Sequence, residues 1–155
     1  SIRGLSEGIA YRLGNCCHPL PGDRIVGLMV PGEGAVIHTV DCAELEKAED
    51  RMDDWLDVKW GTHAADIGPS VAQVVVRVKN APGSLGAVMT VIGSNGGNIS
   101  NLKTTNRNPL YFEFLIDIEV RDVAHLSNIV GALRVNAVVE SVDRVRGPEF
   151  HEGIS

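Results

Sequence analysis

No stretch of this 155-residue chain approaches the roughly 20 consecutive apolar residues that a membrane-spanning helix requires. A membrane span is therefore excluded by the sequence. The opening residues SIRGLSEG lack both a basic start and an apolar segment, which predicts no secretory leader. Cations are scarce in the first half: up to Pro69 there are 6 basic and 12 acidic residues, against 8 of each from Ser70 onward, for a net charge of -6. That shortage argues against a general electrostatic grip on nucleic acid, which needs a dense cationic face. It leaves room for a shape-specific RNA contact through a few exposed side chains such as Arg24 and Lys47. Cysteine is also sparse. Cys16, Cys17 and Cys42 cannot all pair, and sequence neighbours rarely bridge each other, so reduced thiols in a cytoplasmic protein are expected. No internal repeat or low-complexity tract is visible.

What is present falls into two segments. GTHAADIGPS, residues 61–70, is small, polar and broken by Gly and Pro, and the charge balance changes across it. This places a boundary between a cysteine-rich domain over 1–66 and a second domain over 67–148, with a tail over 149–155. In the first, GDRIVGLMV and GAVIHTV read as strands joined by a PGEG hairpin loop. Asp41 reads as a helix N-cap, with Glu44 completing a capping box in DCAELEKAEDRMDDW. WLDVKW alternates and reads as a returning strand, giving a small α+β unit. In the second, SVAQVVVRVK sets Ala72, Val74, Val76 and Val78 on one face, and PLYFEFLIDIEV does the same for Leu110, Phe112, Phe114, Ile116, Ile118 and Val120. Leu85, Val88, Met89 and Ile92 follow helical spacing from Ser84 to Asn95, GGNISNLKTTN reads as a strand, and a helix after Asp122 carries Leu126, Ile129, Val130 and Leu133. AVVESVDRVRG closes the order βαββαβ, an α+β ferredoxin-like sandwich.

GNCCHPLPGDRIVG puts two thiols and an imidazole beside each other. A catalytic cysteine needs a base within reach, and although His18 and His38 are candidates, no nucleophile signature accompanies them, so no catalytic residue is assigned. Cys16, Cys17, His38 and Cys42 offer the four donors a structural Zn²⁺ wants. Adjacent residues on an extended strand point to opposite faces, so both thiolates can reach one ion only across a turn, and the usual Cys-x-x-Cys knuckle is absent. The spacing favours buried thiols acting as small hydrophobes and leaves structural Zn²⁺ as the alternative. SNGGN lacks the order of a dinucleotide site and reads as a helix C-cap. The acidic run from Glu44 to Asp57 lacks the central Gly of a Ca²⁺ loop and reads as a solvated helix face. His63, His125 and His151 read as exposed or structural.

CCHPLPGDRIVG followed by GAVIHTVDC resembles the cysteine-rich ribosome-intersubunit domain, also called a zinc-finger domain, of long RelA/SpoT homologues. The match runs through Cys16, Cys17, Pro19, Pro21, Gly22, Asp23, Ile25, Gly27, His38 and Cys42, and WLDVKW resembles that domain's closing strand. The βαββαβ segment with NAPGSLGAV is similar to an ACT domain. The resemblance implies a non-catalytic regulatory region of an enzyme that makes and hydrolyses (p)ppGpp. Its implied partners are ribosomal RNA, the catalytic domains of the parent chain and, through the ACT domain, a second copy of itself. It also implies an amino acid held at the dimer interface by Asn80, Ala81, Gly83, Ser84 and Leu85 of KNAPGSLG, facing Asn98 and Ile99 of the other subunit. The residue types suit this: Pro82 stiffens the turn, Gly83 lets a ligand approach, and the N–H groups opening the helix suit a carboxylate. Apolar Val78, Leu85 and Ile99 favour the branched-chain ligands valine or isoleucine over serine. The alternative is a purely structural dimerisation or docking module with no small-molecule ligand.

Overall fold

A computed structural model describes residues 2–61 and 69–145. The two stretches belong to two compact units. His63, His151 and the tail over 149–155 lie outside the described residues.

The first unit is built on four strands in the order β2 (Tyr11–Leu13), β4 (Gly34–Thr39), β3 (Ile25–Val30) and β5 (Trp55–Leu56). β3 and β4 form the expected hairpin, running from Ile25 opposite Thr39 to Val30 opposite Gly34. Gly34 has φ 86, and a Cβ there would lie 2.3 Å from the Ala10 carbonyl oxygen, so the turn needs glycine. β2, which alternation alone does not reveal, runs parallel to β4. β1 (Ile2–Arg3) pairs with β6 (Lys59–Trp60) in a separate two-stranded sheet. Ile25, Ala35, Ile37 and Val58 form the core, with Ile2, Leu5, Ile9, Leu13, Met29, Leu56 and Trp60 packed around them.

Two expectations for this unit are corrected. DCAELEKAEDRMDDW is not one capped helix but two 3-10 helices, Ala43–Ala48 and Met52–Asp54. Cys42, not Asp41, occupies the N-cap position, with no side-chain cap hydrogen bond. Leu45 and Ala48 are the buried pair, three apart, and that spacing matches the three-residue turn of a 3-10 helix. WLDVKW is not one strand either. Trp55 and Leu56 pair with Leu28 and Gly27 of β3, whereas Lys59 and Trp60 pair with Arg3 and Ile2. Burial of Val58 and a hydrogen bond from the Trp60 indole to the Asp23 carbonyl, 3.0 Å, draw the chain away from the β3 edge.

The second unit is a ferredoxin-like α+β sandwich with strands β7 (Ser70–Lys79), β8 (Asn98–Arg107), β9 (Tyr111–Val120) and β10 (Val139–Arg144), and helices α1 (Ser84–Ser94) and α2 (Val123–Arg134). The antiparallel sheet has the order β10-β7-β9-β8. Ala72, Val74, Val76 and Val78 are fully buried beside Ile116, Ile118 and Val120, and Val88, Ile92, Leu126, Ile129 and Leu133 cover them from the helices. Each such side chain contributes about 1.5–3 kcal/mol on burial. The other sheet face carries polar pairs around an apolar one: Gln73 donates to Asp117 at 2.9 Å and Arg77 to Glu113 at 3.1 Å, with Val75 opposite Leu115 between them. Leu110 is corrected from the inner strand face to a turn residue 78% exposed, because the Asn108 side chain accepts from the N–H groups of Leu110 and Tyr111 and closes a turn before β9. Met89 also leaves the apolar stripe of α1, at 48% exposed. β8 lies at one sheet edge.

Candidate functional site

The cysteine centre is assembled by a turn that strand logic does not foresee. The N–H of Gly14 donates to the Ile37 carbonyl at 2.8 Å, extending the contact of β2 with β4. The chain then reverses through Asn15–Cys17, closed by the N–H of His18 donating to the Gly14 carbonyl at 3.1 Å, with His18 itself at φ 47. A left-handed φ is costly for a residue with a Cβ. It is the turn over Asn15–Cys17, ahead of His18, that brings Cys16 and Cys17 to the same side. Gly14 also makes room, since a Cβ would lie 3.2 Å from Cys16 Sγ, His38 Nδ1 and the Ile37 carbonyl oxygen.

His38 arrives on β4, opposite Val26, and Cys42 at the start of the first 3-10 helix, whose entry is fixed by the Cys42 N–H donating to the Thr39 carbonyl at 3.1 Å. Cys16 Sγ lies 3.2 Å from His38 Nδ1, 3.8 Å from Cys17 Sγ and 3.4 Å from Cys42 Sγ, and Cys17 Sγ lies 3.9 Å from His38 Nδ1. All four donor atoms fall within 4.8 Å of one another. A tetrahedral Zn²⁺ with Zn–S of about 2.3 Å and Zn–N of about 2.0–2.1 Å separates its donors by about 3.6–3.8 Å. The donor set therefore fits a metal ion, and the spacing objection is corrected: the turn supplies what an extended strand could not.

The protons agree with this. Cys17 is pushed down to about 4, first by the S–H donated from Cys16, then by His38 and the Thr39 N–H, which donates to its sulfur at 3.4 Å. Cys16 is pushed far above the ordinary thiol range by holding the proton it shares with Cys17, and by burial; Cys42 is raised mainly by burial. One thiolate forms readily and the next is resisted by the first. A dication removes that resistance.

Two grooves flank this framework. One, of about 720 Å³, opens where the chain leaves the β3 edge; both tryptophans, Trp55 and Trp60, line it with exposed Val40 and Met52 and the cations Arg24 and Lys59. The other, of about 470 Å³, is lined by Cys16, His38, Arg12, Lys47 and Arg51. Arg24 and Lys47 thus border different grooves. The tryptophan groove was not legible in the sequence, because WLDVKW as a continuous strand would have closed it.

In the second unit, Asn80 donates its side-chain amide to the Asn108 carbonyl at 2.7 Å, and the Ala81 N–H donates to the Lys79 carbonyl at 2.9 Å. Gly83, φ 83, is the N-cap of α1 with open space beside its Cα. The Ser84 N–H is taken by the Ala81 carbonyl at 3.2 Å; its side chain is buried and its Oγ finds no partner among the described residues. Leu85 is half-buried. Asn98 is exposed and donates to Glu119 at 2.5 Å, and Ile99 pairs with Ile118. The register separates these two groups: Lys79 stands opposite Tyr111, and Asn98 opposite Glu119. Along β9 that is about 27 Å. Within one chain, Asn98 and Ile99 do not meet Asn80–Leu85. Near the loop end lies instead a cavity of about 130 Å³ lined by Thr104, Arg107, Phe112 and Phe114, with the Arg107 guanidinium 5.3 Å from the Phe112 ring centre. A single Arg closing a strand carries no periodic signal, so the sequence did not point to it.

A cysteine- and histidine-centred α+β domain followed by a ferredoxin-like βαββαβ domain defines a two-domain regulatory module. Residues 1–61 match the RelA/SpoT RIS domain and residues 70–144 match the ACT domain. The chain belongs to the RelA/SpoT family and is homologous to the C-terminal region of its members. It is 36% identical over 128 residues to GTP pyrophosphokinase rsh of Brucella abortus (strain 2308), covering 83% of this chain and 17% of that protein. It is 29% identical over 145 residues to the bifunctional (p)ppGpp synthase/hydrolase SpoT of Escherichia coli (strain K12), covering 94% of this chain and 20% of that protein. The crystal structure of the ACT domain from GTP pyrophosphokinase of Chlorobium tepidum aligns with a TM-score of 0.44 at 21% identity, over 49% of this chain and 97% of that one. This chain, spanning 17–20% of the full-length relatives, carries regulatory domains and not the catalytic ones. No helix among the described residues is long and apolar enough to cross a membrane.

Proposed function

We propose that this chain is the part of a cytoplasmic (p)ppGpp synthetase/hydrolase that reports nutritional state to the catalytic domains. In this reading its first unit contacts ribosomal RNA and its ACT domain senses valine or isoleucine. The observation that carries the proposal is the tandem of RIS and ACT domains in one chain, matched over 83% of its length by a GTP pyrophosphokinase.

For the amino acid, the sheet register supports a site completed by a second copy. If two β8 edges pair antiparallel about a two-fold axis, Asn98 and Ile99 of one copy come beside the Arg107 end of the other. That is the end to which Arg107, opposite Phe112 and thence Val78, ties the loop of Asn80–Leu85. Arg107 and the opening N–H groups of α1 receive the carboxylate. Leu85, Ile99 and Phe112 form the apolar wall for a β-branched side chain. For the ribosome, the groove bearing Trp55, Trp60 and Arg24 suits stacking of unpaired bases. Binding of random RNA is weak at physiological salt because the unit is acidic. For the metal, Cys16, Cys17, His38 and Cys42 would hold a Zn²⁺, which supplies a structural cross-link between the turn, β4 and the first 3-10 helix.

The test is calorimetry with valine, isoleucine, leucine and serine, alongside Asn80→Ala and Arg107→Ala and sedimentation with and without ligand. Valine or isoleucine binds the wild type and tightens the dimer, and either substitution weakens binding at least tenfold, about 1.4 kcal/mol. A wild type silent to all four amino acids, yet still dimeric, would favour the purely structural docking module.

A further inference from the structure

The tryptophan groove has a chemistry of its own. Trp55 and Trp60 are the only tryptophans in the chain, and both are half-buried where they line it. Trp55 is backed by the cluster of Cys17, Cys42 and Leu45, and Trp60 by the separate core around Ile37. Their polar edges are occupied: the Trp55 indole N–H donates to the Ala48 carbonyl at 2.9 Å, and that of Trp60 to the Asp23 carbonyl at 3.0 Å. The rings are therefore held in place and offer the groove apolar surface.

Four charged side chains stand around the rings: Asp23, Arg24, Asp57 and Lys59. Asp23 is engaged in its own turn, where its carboxylate accepts the Leu20 N–H at 2.7 Å. Arg24 and Lys59 form no ion pair among the described residues, and the Asp57 carboxylate has no partner among them. The backbone of Asp57 is nevertheless pinned. Gly4, at φ 101, comes so close that a Cβ would lie 2.3 Å from the Asp57 carbonyl oxygen, and the next residue, Val58, is buried. A fixed carboxylate with both oxygens unclaimed thus stands at the groove beside two aromatic rings.

We infer that this groove binds an unpaired guanosine of an RNA strand, with the base stacked on an indole ring and its Watson–Crick edge read by Asp57. The inference rests on the reading of this unit as an RNA contact and adds the nucleotide it selects. An ionised carboxylate accepts hydrogen bonds and donates none. Guanine presents two adjacent donors, N1–H and the N2 amino group, which one carboxylate takes together. Adenine and cytosine set an acceptor nitrogen beside a single amino group, and uracil flanks its one N–H with two carbonyls, so each brings an acceptor against the carboxylate. Stacking tolerates any base, because every base has a π-face, and that leaves discrimination to Asp57. Arg24, ahead of β3, and Lys59, on β6, come from separate segments. That suits the phosphates on either side of a nucleotide within a strand better than the single phosphate of a free one. Because the unit is acidic, phosphate contacts add little, and the base contact sets the preference.

The experiment follows the fluorescence of Trp55 and Trp60 in the full chain, which reports the groove directly, as short uridine strands with G, A, C or U at the centre are added. The G-centred strand is expected to quench most and to bind at least about fivefold tighter than the A- or U-centred strand, the lower end of what a bidentate base contact discriminates. Asp57→Asn, at an exposed position, is expected to abolish that preference while the U-centred strand binds at least as well as before. Arg24→Gln and Lys59→Gln are each expected to flatten the salt dependence of binding by about 0.7 log units per tenfold change in salt. Strands that bind without quenching, equal binding of all four, or a G preference that survives Asp57→Asn would each overturn the guanosine site and leave an RNA contact standing. If no strand binds, the RNA reading of this unit falls with it. Guanosine monophosphate binding as tightly as the G-centred strand would overturn the strand and put a free nucleotide in its place.

Discussion

At the scale of single residues, small atoms decide whether the centre can exist. Gly14 leaves a space that a methyl group would take from Cys16 Sγ and His38 Nδ1 at once. Gly14→Ala is expected to lower the affinity for cobalt(II), read from the thiolate-to-metal absorption band, while leaving the second unit's unfolding unchanged. His125 in the second unit is as tightly specified. Its Nδ1 accepts from the Arg121 N–H at 3.0 Å, so its Nε2 donates to the Asn95 carbonyl at 2.7 Å, tying the end of α1 to the start of α2. The ring is buried, at 4% exposed. His125→Ala leaves those backbone groups unpaired beside a cavity and is expected to cost about 2–4 kcal/mol in urea unfolding. A loss under 1 kcal/mol would mean that water replaces the ring.

Elements are stabilised by their ends and by what their faces meet. Asp122 is the N-cap of α2, its carboxylate accepting from the His125 N–H at 2.8 Å, as the sequence foresaw when it started the helix after this residue. Asp122→Ala is expected to cost about 1 kcal/mol. Two glycines at either end of α1's path give opposite signs. Gly86 stands inside α1 with open space around it, so Gly86→Ala is expected to stabilise by about 0.5–1 kcal/mol. Gly97 lies where a Cβ would come 2.8 Å from Ile129 and 2.9 Å from Ile92, so Gly97→Ala is expected to destabilise by about 1–3 kcal/mol. Denaturation of the pair of variants checks both signs in one unit.

For the whole molecule, two units with separate cores are expected to unfold in separate steps, so effectors should act on one step at a time. With the proposed metal loaded, chelation should lower only the transition of the cysteine unit, because a metal bound there would contribute folding energy. Valine at a hundred times its dissociation constant should stabilise only the ACT unit, by about 2.7 kcal/mol. Differential scanning calorimetry reads both. Should valine shift the cysteine unit's transition, or the chelator the ACT unit's, the sites would have to be reassigned.

The ACT unit was legible because its signals are local. Ala72, Val74, Val76 and Val78 alternate on β7, and Leu126, Ile129 and Leu133 recur at helical spacing, so each element's buried face follows from a period of two or of 3.6 residues. Leu110 and Met89 are where that logic overran, one beyond a turn and the other past the edge of a stripe. The sequence determined which four residues could serve the centre, since donor type is a property of the side chain. Only the tertiary structure decided that they meet: it needed the turn over Asn15–Cys17, a parallel β2 beside β4, and a 3-10 helix whose i to i+3 pattern the acidic run conceals. It also decided that Asn98 and Asn80 lie at opposite ends of one sheet. Register is set by pairing between distant strands, and no local period carries it.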